Sequence, residues 1–109
     1  MNVLFVCTAA LQRSPTAAEV FSEMARRKKV SVNVKYAGIH PLAPHVVDEE
    51  LIDWADRIYV MENIHKDFIL SLRKNAAKKM KVLNIPDMYF RNDPELVDIL
   101  RKKLDKEIK

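Results

Sequence analysis

Cys7 and Arg13 are the residues whose types and spacing suggest chemistry most directly. They stand at the two ends of a loop that follows an apolar run at 2–6 and leads into the pair Ser14-Pro15. A loop that enters a helix can point its backbone amides at an oxyanion, and the positive end of the helix dipole adds to the attraction. The guanidinium of Arg13 would add a planar, bidentate grip on two oxygens. The spacing therefore predicts a phosphate-binding loop.

The same surroundings predict a reactive thiol at Cys7. A helix N-terminus and a nearby cation both stabilise a thiolate, so we expect Cys7 to be ionised at neutral pH and to act as a nucleophile. It is the only cysteine of the chain, which excludes an internal disulfide and favours the cytoplasm. A lone cysteine after an apolar strand can also be an ordinary core residue. The accompanying Arg13 and Ser14-Pro15 favour the catalytic interpretation.

The composition and charge of the chain indicate a globular domain and disfavour binding to nucleic acid or to membranes. The chain has 109 residues, 49% of them apolar and 31% charged, which predicts one globular domain over residues 1–109. Its net charge of +4 favours anionic ligands. Much of that charge lies at 26–29 and 101–103, where cations complement helix C-termini, so we expect no nucleic-acid binding. No apolar stretch approaches the roughly 20 residues of a membrane span, so no membrane association is expected either.

The elements that must position Cys7 and Arg13 alternate between strands and helices. Short apolar runs predict strands at 2–6, 30–37, 57–61 and 81–85. Helical spacing predicts helices from Pro15, over 48–55, over 64–72 and from Pro94 onward. This alternation indicates an α/β fold, a three-layer doubly wound sheet of four parallel strands with helices on both faces. Ligands bind such sheets at the carboxyl ends of the strands, where Cys7, Gly38, Glu62 and Asp87 fall.

Two residues before prolines are expected to cap helices. Ser14 precedes Pro15 and Asp93 precedes Pro94, and a short polar side chain can accept the free amides of a first turn. His40, His45 and His65 have no metal-ligand spacing with Cys7, so we interpret them as surface or loop histidines. No metal ion or other cofactor is expected.

Several segments in order along the chain are similar to the low-molecular-weight protein tyrosine phosphatase family. The similarity lies at 3–7, at 13–21, at 37–38, at 54–62 and at the Pro-Asp-Met-Tyr of 86–89. The resemblance implies the flavodoxin-like fold of that family. It also implies hydrolysis of a phosphomonoester, the phosphate coming from a phosphotyrosine-containing protein or a small aryl phosphate.

The resemblance implies roles for individual residues. Cys7 would form a phosphocysteine, Arg13 would hold the phosphoryl oxygens, and Asp87 would act as acid and then as base. The hydroxyl of Ser14 would bond the thiolate, and Tyr89 would wall the entrance and stack on a phenyl ring. The remaining substrate-binding residues implied are those of the loop itself: Thr8, Ala9, Ala10, Leu11 and Gln12.

Alternatives remain for the later part of the chain. Asp93 competes with Asp87 for the role of acid, although its place before a proline favours capping. Asp87 can also be a plain loop carboxylate, and Tyr89 with Phe90 can be edge packing.

The chain departs from the family's pattern within the loop. Ala9-Ala10 replaces Gly-Asn, and Tyr36 replaces the serine that braces the asparagine, so we expect a rebuilt brace. A left-handed backbone at an alanine costs roughly 1–2 kcal/mol. Gln12 replaces a second cysteine, which leaves Cys7 without a resolving thiol and disfavours an arsenate reductase. The segment after the second strand is shortened, so a non-catalytic module that binds phosphate or a phosphopeptide is the alternative function.

Overall fold

The computed structural model describes residues 1–108. Four parallel strands form one sheet in the order β2-β1-β3-β4. The strands are β1 (Asn2–Cys7), β2 (Asn33–Gly38), β3 (Arg57–Val60) and β4 (Met80–Val82). The helices are α1 (Arg13–Arg27), α2 (Glu49–Trp54), α3 (Asn63–Leu72) and α4 (Pro94–Leu104), with 3-10 turns at Lys74–Lys79 and Asp105–Glu107.

The sheet has a separate apolar core on each face, because side chains alternate along the buried strand β1. Val3, Phe5 and Cys7 face α1 and α4, whereas Leu4 and Val6 face α2 and α3. The predicted three-layer, doubly wound α/β fold is therefore confirmed. The chain turns to opposite sides of β1 when it forms β2 and β3, so the carboxyl ends of β1 and β3 flank the switch point at which such sheets bind ligands.

Element boundaries differ from the predictions where main-chain pairing decides them. β2 begins at Asn33, where pairing with Asn2 begins, and not at Val30. β4 ends at Val82, although the amide of Leu83 still donates to Val60 O over 2.8 Å. α4 ends at Leu104, and the chain continues through a 3-10 turn.

The two predicted caps have different outcomes. Asp93 does cap α4, since its carboxylate accepts the amide of Glu95 at 2.9 Å. The predicted cap at Ser14 is wrong: α1 begins two residues earlier than predicted, at Arg13, with Gln12 at the N-cap position. Ser14 lies within the first turn, and its hydroxyl is directed to Cys7 instead.

Among the helices of residues 1–108, none combines the length and the apolar content that a membrane crossing requires.

Candidate active site

The loop from Cys7 to Arg13, hereafter the phosphate loop, leaves β1 at its carboxyl end and enters α1. The buried sulfur of Cys7 forms a hydrogen bond with Ser14 Oγ at 3.0 Å and accepts the amide of Ala10 at 3.2 Å. Both contacts come from groups that can donate a hydrogen bond to a thiolate.

A cavity of about 60 Å³ opens over this sulfur. Its volume is about that of two liquid waters, so it admits a small oxyanion and leaves the rest of a substrate outside. The lining combines most of the phosphate loop with one residue from the distant segment before α4: Cys7, Thr8, Ala9, Leu11, Gln12, Arg13 and Asp87.

Arg13 is almost completely buried, with 1% of its surface exposed. Its Nη1 donates to Glu62 Oε2 over 2.6 Å and to the carbonyl of Ile85 over 2.7 Å. A buried charge is tolerated only when it is paired and hydrogen-bonded, and Glu62 supplies that pairing. Within residues 1–108 all hydrogen bonds of this guanidinium are made by Nη1. The edge formed by Nε and Nη2 is therefore available for two oxygens of an anion.

Asp87 lines the same cavity and is much more exposed than Arg13. Its Oδ1 is 3.8 Å from Nε of Arg13, and 66% of its side chain is accessible to solvent. The carboxylate therefore lies beside the free edge of the guanidinium, within reach of a group bound there.

The segment 86–93, hereafter the acid loop, is attached to the start of α1 by polar contacts. The amide of Arg91 donates to Gln12 Oε1, and the amide of Asn92 donates to Thr16 Oγ1 over 3.0 Å. An exposed ion pair of 2.7 Å joins Arg91 to Glu19. Gln12, which was predicted to bind substrate through the loop, thus also connects the two loops.

The remaining predicted site residues lie around this centre in different ways. Leu11 is exposed at the rim of the cavity. Ala10 is buried behind the loop and has a left-handed backbone, with φ of 59°. Tyr89 is half-buried against the core beneath α1 and α4 and is not among the cavity lining, whereas Phe90 is exposed.

The brace of the phosphate loop is made by the main chain that follows β2. The amides of Ile39 and His40 donate to the carbonyls of Cys7 and Thr8, over 3.1 and 2.9 Å. Gly38 permits this approach, because a Cβ at this position would lie 2.5 Å from Thr8 O. The loop therefore has backbone contacts where relatives use an Asn–Ser pair.

His65 is a residue that the sequence interpretation missed. It was predicted to be a surface or loop histidine, and that prediction is wrong, since 0% of it is exposed. Its Nδ1 accepts the amide of Glu62 at 3.0 Å, and its Nε2 lies 2.9 Å from Thr8 Oγ1. Burial, and to a lesser degree the charge of Arg13, lower the pKa of His65 from 6.5 to about 4.

A local signal for His65 does exist in the sequence. Glu62 and His65 stand at the N-cap and N3 positions of α3, directly after β3, which is the spacing of a capping box. That spacing predicts a hydrogen-bonded histidine, although it does not reveal the contact with Thr8. In the part of the chain that the structure describes, no group of three or more histidine, cysteine or carboxylate side chains is placed to hold a metal ion.

Comparison with known proteins places this geometry in a family. Residues 2–102 match the model of the low molecular weight phosphotyrosine protein phosphatases, and the chain belongs to that family. The family and fold predicted from the sequence are confirmed.

One curated relative is the protein-arginine-phosphatase of Bacillus subtilis (strain 168). It is 32% identical to this chain over an alignment of 93 residues, and the match covers 65% of this chain and 62% of the relative. The match thus spans less than two thirds of the length of that relative.

Solved structures extend the comparison over nearly the whole chain. The solution structure of a low molecular weight protein tyrosine phosphatase from Bacillus subtilis has a TM-score of 0.74 and 26% identity, with full coverage of both chains. A mutant of the YwlE arginine phosphatase with a phosphorylated active-site serine has a TM-score of 0.75 and 26% identity, covering 98% of this chain and 97% of that one. A phosphatase from Vibrio cholerae O395 shares the fold at a TM-score of 0.79 and 21% identity, covering 98% and 95%.

Proposed function

We propose that this protein hydrolyses phosphomonoesters through a phosphocysteine formed on Cys7. The observation that carries the proposal is the common cavity of Cys7, Arg13 and Asp87. In it a buried sulfur faces the space beside a guanidinium whose Nε and Nη2 edge is available. Membership of the phosphatase family supports the same conclusion.

In the first step the Cys7 thiolate attacks phosphorus, so that a P–S bond forms while the P–O bond to the leaving group breaks. Asp87 donates its proton to the departing oxygen. Arg13 and the loop amides hold the other phosphoryl oxygens and stabilise the charge that develops on them.

In the second step water attacks phosphorus and the P–S bond breaks. Asp87 accepts the proton of that water, and inorganic phosphate is released. The Cys7 thiolate is restored while it accepts hydrogen bonds from the hydroxyl of Ser14 and the amide of Ala10. A reduced thiol is needed throughout, so the proposal includes a cytoplasmic setting.

The proposed substrate class is an aryl phosphate, with phosphotyrosine in a protein as the leading case. The small cavity accepts the phosphoryl group alone, and the exposed Leu11 at its rim offers an apolar contact for a ring outside. Phosphoarginine in a protein is the second candidate, because the curated relative is a protein-arginine-phosphatase. With that substrate a P–N bond would break in place of the P–O bond, and Asp87 would protonate the departing nitrogen. Phosphotyrosine and phosphoarginine peptides of one sequence, compared by kcat/KM, distinguish the two.

The test of turnover is release of p-nitrophenol from its phosphate by the native protein and by Cys7→Ser. We expect activity in the native protein and a loss of roughly a thousandfold or more in the variant, because a serine hydroxyl is a far weaker nucleophile at neutral pH. Acid-quenched native protein should carry phosphate on Cys7. Phosphate binding without any turnover in the native protein would instead establish the non-catalytic binding module.

A further inference from the structure

We infer that His65 is a positioning residue of the phosphate loop, and that it acts by donating a hydrogen bond from Nε2 to the hydroxyl of Thr8. Thr8 directly follows the nucleophile Cys7 and lines the cavity. The inference rests on the proposed function, because it concerns the geometry with which that loop holds phosphate.

The direction of the bond follows from the partners of the imidazole. The amide of Glu62 is a donor, so Nδ1 of His65 must accept it and carries no proton. In a neutral imidazole the proton then resides on Nε2, which donates to Thr8 Oγ1 at 2.9 Å. The tautomer is fixed by the start of α3, and the start of α3 is thereby joined to the phosphate loop.

The surroundings keep this imidazole neutral near pH 7. It is fully buried. The charged groups that face it are Arg13 of α1, Glu62 at the N-cap of α3 and Asp87 of the acid loop. Burial and the cation both oppose a second proton, and their effect exceeds the opposite effect of the two carboxylates.

The contact matters because the loop lacks the usual side-chain brace. Ala9 and Ala10 offer no polar side chain, and Ala10 has a strained, left-handed backbone. Thr8 is held instead at two atoms, its carbonyl by the amide of His40 and its hydroxyl by His65. Fixing both atoms orients the peptide next to the sulfur, where the loop must present amides to an anion.

The experiment compares Asn and Gln at position 65, because each amide retains one of the two contacts. In His65→Asn the side-chain oxygen can replace Nδ1 and keep the cap, but no atom reaches Thr8. In His65→Gln the longer amide can still donate to Thr8, while the acceptor for Glu62 is lost. Thr8→Val removes the hydroxyl alone, and the double variant with His65→Asn measures the coupling. His45→Gln, an exposed histidine, is the matched control.

Measurements are kcat and KM with p-nitrophenyl phosphate, and the Kd of inorganic phosphate. We expect kcat/KM and phosphate affinity to fall roughly three- to tenfold in Thr8→Val and in His65→Asn, as for one hydrogen bond. The double variant should lose no more activity and phosphate affinity than the more impaired of the two single variants. His65→Gln should lose less of both than His65→Asn. A purely capping role predicts the reverse order for Asn and Gln.

Other outcomes overturn the inference. It fails if Thr8→Val binds phosphate as the native protein does, or if the two losses multiply in the double variant. The imidazole resonances in a long-range ¹H–¹⁵N spectrum give a readout that needs neither turnover nor ligand. They should show the Nε2–H tautomer of His65 and a shift of Nε2 in Thr8→Val. A native protein with this signature but no turnover would contradict the proposed function and leave the Thr8 contact established.

Discussion

The phosphate loop and the acid loop meet at one cavity but are held in different ways. The phosphate loop is anchored in the core by its buried residues Cys7, Ala10 and Arg13, with Arg13 paired to Glu62 and the carbonyls of Cys7 and Thr8 bonded to the chain after β2. The acid loop lies at the surface, where Asp87 is largely exposed and the attachment depends on a few polar contacts with α1. In the proposed mechanism, anion binding therefore depends on groups anchored in the folded core, whereas protonation of the leaving group depends on a surface segment that is easier to displace.

The largest effect on kcat is expected when the proposed acid of the acid loop is removed, since this change should leave anion binding by the phosphate loop intact. Asp87→Asn should lower kcat for phenyl phosphate by roughly a hundredfold, because the phenolate leaves without a proton. The loss should be smaller with p-nitrophenyl phosphate, whose leaving group needs less protonation, and phosphate affinity should be nearly unchanged. Steady-state kinetics with both esters provide the measurement.

Asp93→Asn is the matched control for Asp87→Asn. Asparagine also caps helices well, so kcat should stay within about twofold of the native value. Equal losses in the two variants would remove Asp87 from the role of acid.

The second prediction concerns the packing beneath the phosphate loop. Gly38→Ala should destabilise the protein by about 1–3 kcal/mol and weaken phosphate binding, because its Cβ would lie 2.5 Å from Thr8 O and 2.9 Å from Ala10 N. Urea unfolding and phosphate titration measure the two effects. A Cβ at position 38 would also lie 3.0 Å from the Cβ of Ala43, which Ala43→Gly removes. Adding that change should restore neither stability nor phosphate binding, because the closest contacts are with backbone atoms. Full restoration would refute the main-chain brace.

The third prediction is a pH dependence of folding that comes from His65. Its pKa is about 4 in the folded protein and near 6.5 when unfolded, so between these values the unfolded chain binds more protons. The contribution of the neutral His65 to the free energy of unfolding is therefore fully present above pH 6.5. It is lost as the pH falls towards 4, by at most about 1.4 kcal/mol per pH unit. Urea midpoints from pH 7.5 to 4.5 should fall more steeply in the native protein and in His45→Gln than in His65→Asn. If the urea midpoint fell equally with pH in all three proteins, a buried, neutral His65 would be contradicted.

The fourth prediction tests the link between the two loops. Gln12→Ala removes the acceptor for the amide of Arg91, so the acid loop should be less well placed. We expect kcat for phenyl phosphate to fall roughly threefold to tenfold, the effect of one hydrogen bond, with phosphate affinity preserved. Glu19→Gln removes the exposed ion pair to Arg91 and should change kcat by less than about twofold. A loss confined to phosphate affinity would show that Gln12 serves the phosphate loop alone.

The smallest effect concerns strain within the phosphate loop. Ala10→Gly relieves a left-handed alanine, which costs roughly 1–2 kcal/mol, but it raises the entropy of the unfolded chain. The net expected change is a stabilisation of less than about 1 kcal/mol, measured by urea unfolding. Ala9→Gly, at a position without positive φ, should destabilise instead. A destabilised Ala10→Gly would mean that the loop depends on the buried methyl group.

Much of the fold could be predicted because its signals are local. Apolar runs and helical spacing located four strands and four helices, and their alternation determined a parallel sheet with two covered faces. Boundaries were less predictable, since the start of β2 depends on its pairing with β1 and not on the valines at 30 and 32.

For the site, neighbouring residues along the chain were enough to predict a loop that binds an oxyanion. Cys7 and Arg13 are joined by a short loop, so strand, loop and helix bring them together whatever the rest of the chain does. The family resemblance added Asp87, and the structure places it in the same cavity. Ser14 was expected to cap the helix and, from the family resemblance, to bond Cys7. It does not cap α1, and its place within the first turn puts its hydroxyl 3.0 Å from the sulfur of Cys7.

The contacts that hold these residues in place come from segments that are far apart in the sequence. His65 meets Thr8 across 57 positions of sequence, and Glu62 meets Arg13 across 49. Such contacts depend on the register of β1 against β3, which no local pattern of residue types encodes. Nucleophile and anion site can therefore be inferred from neighbouring residues, whereas the charges and hydrogen bonds that position them arise from the packing of distant segments.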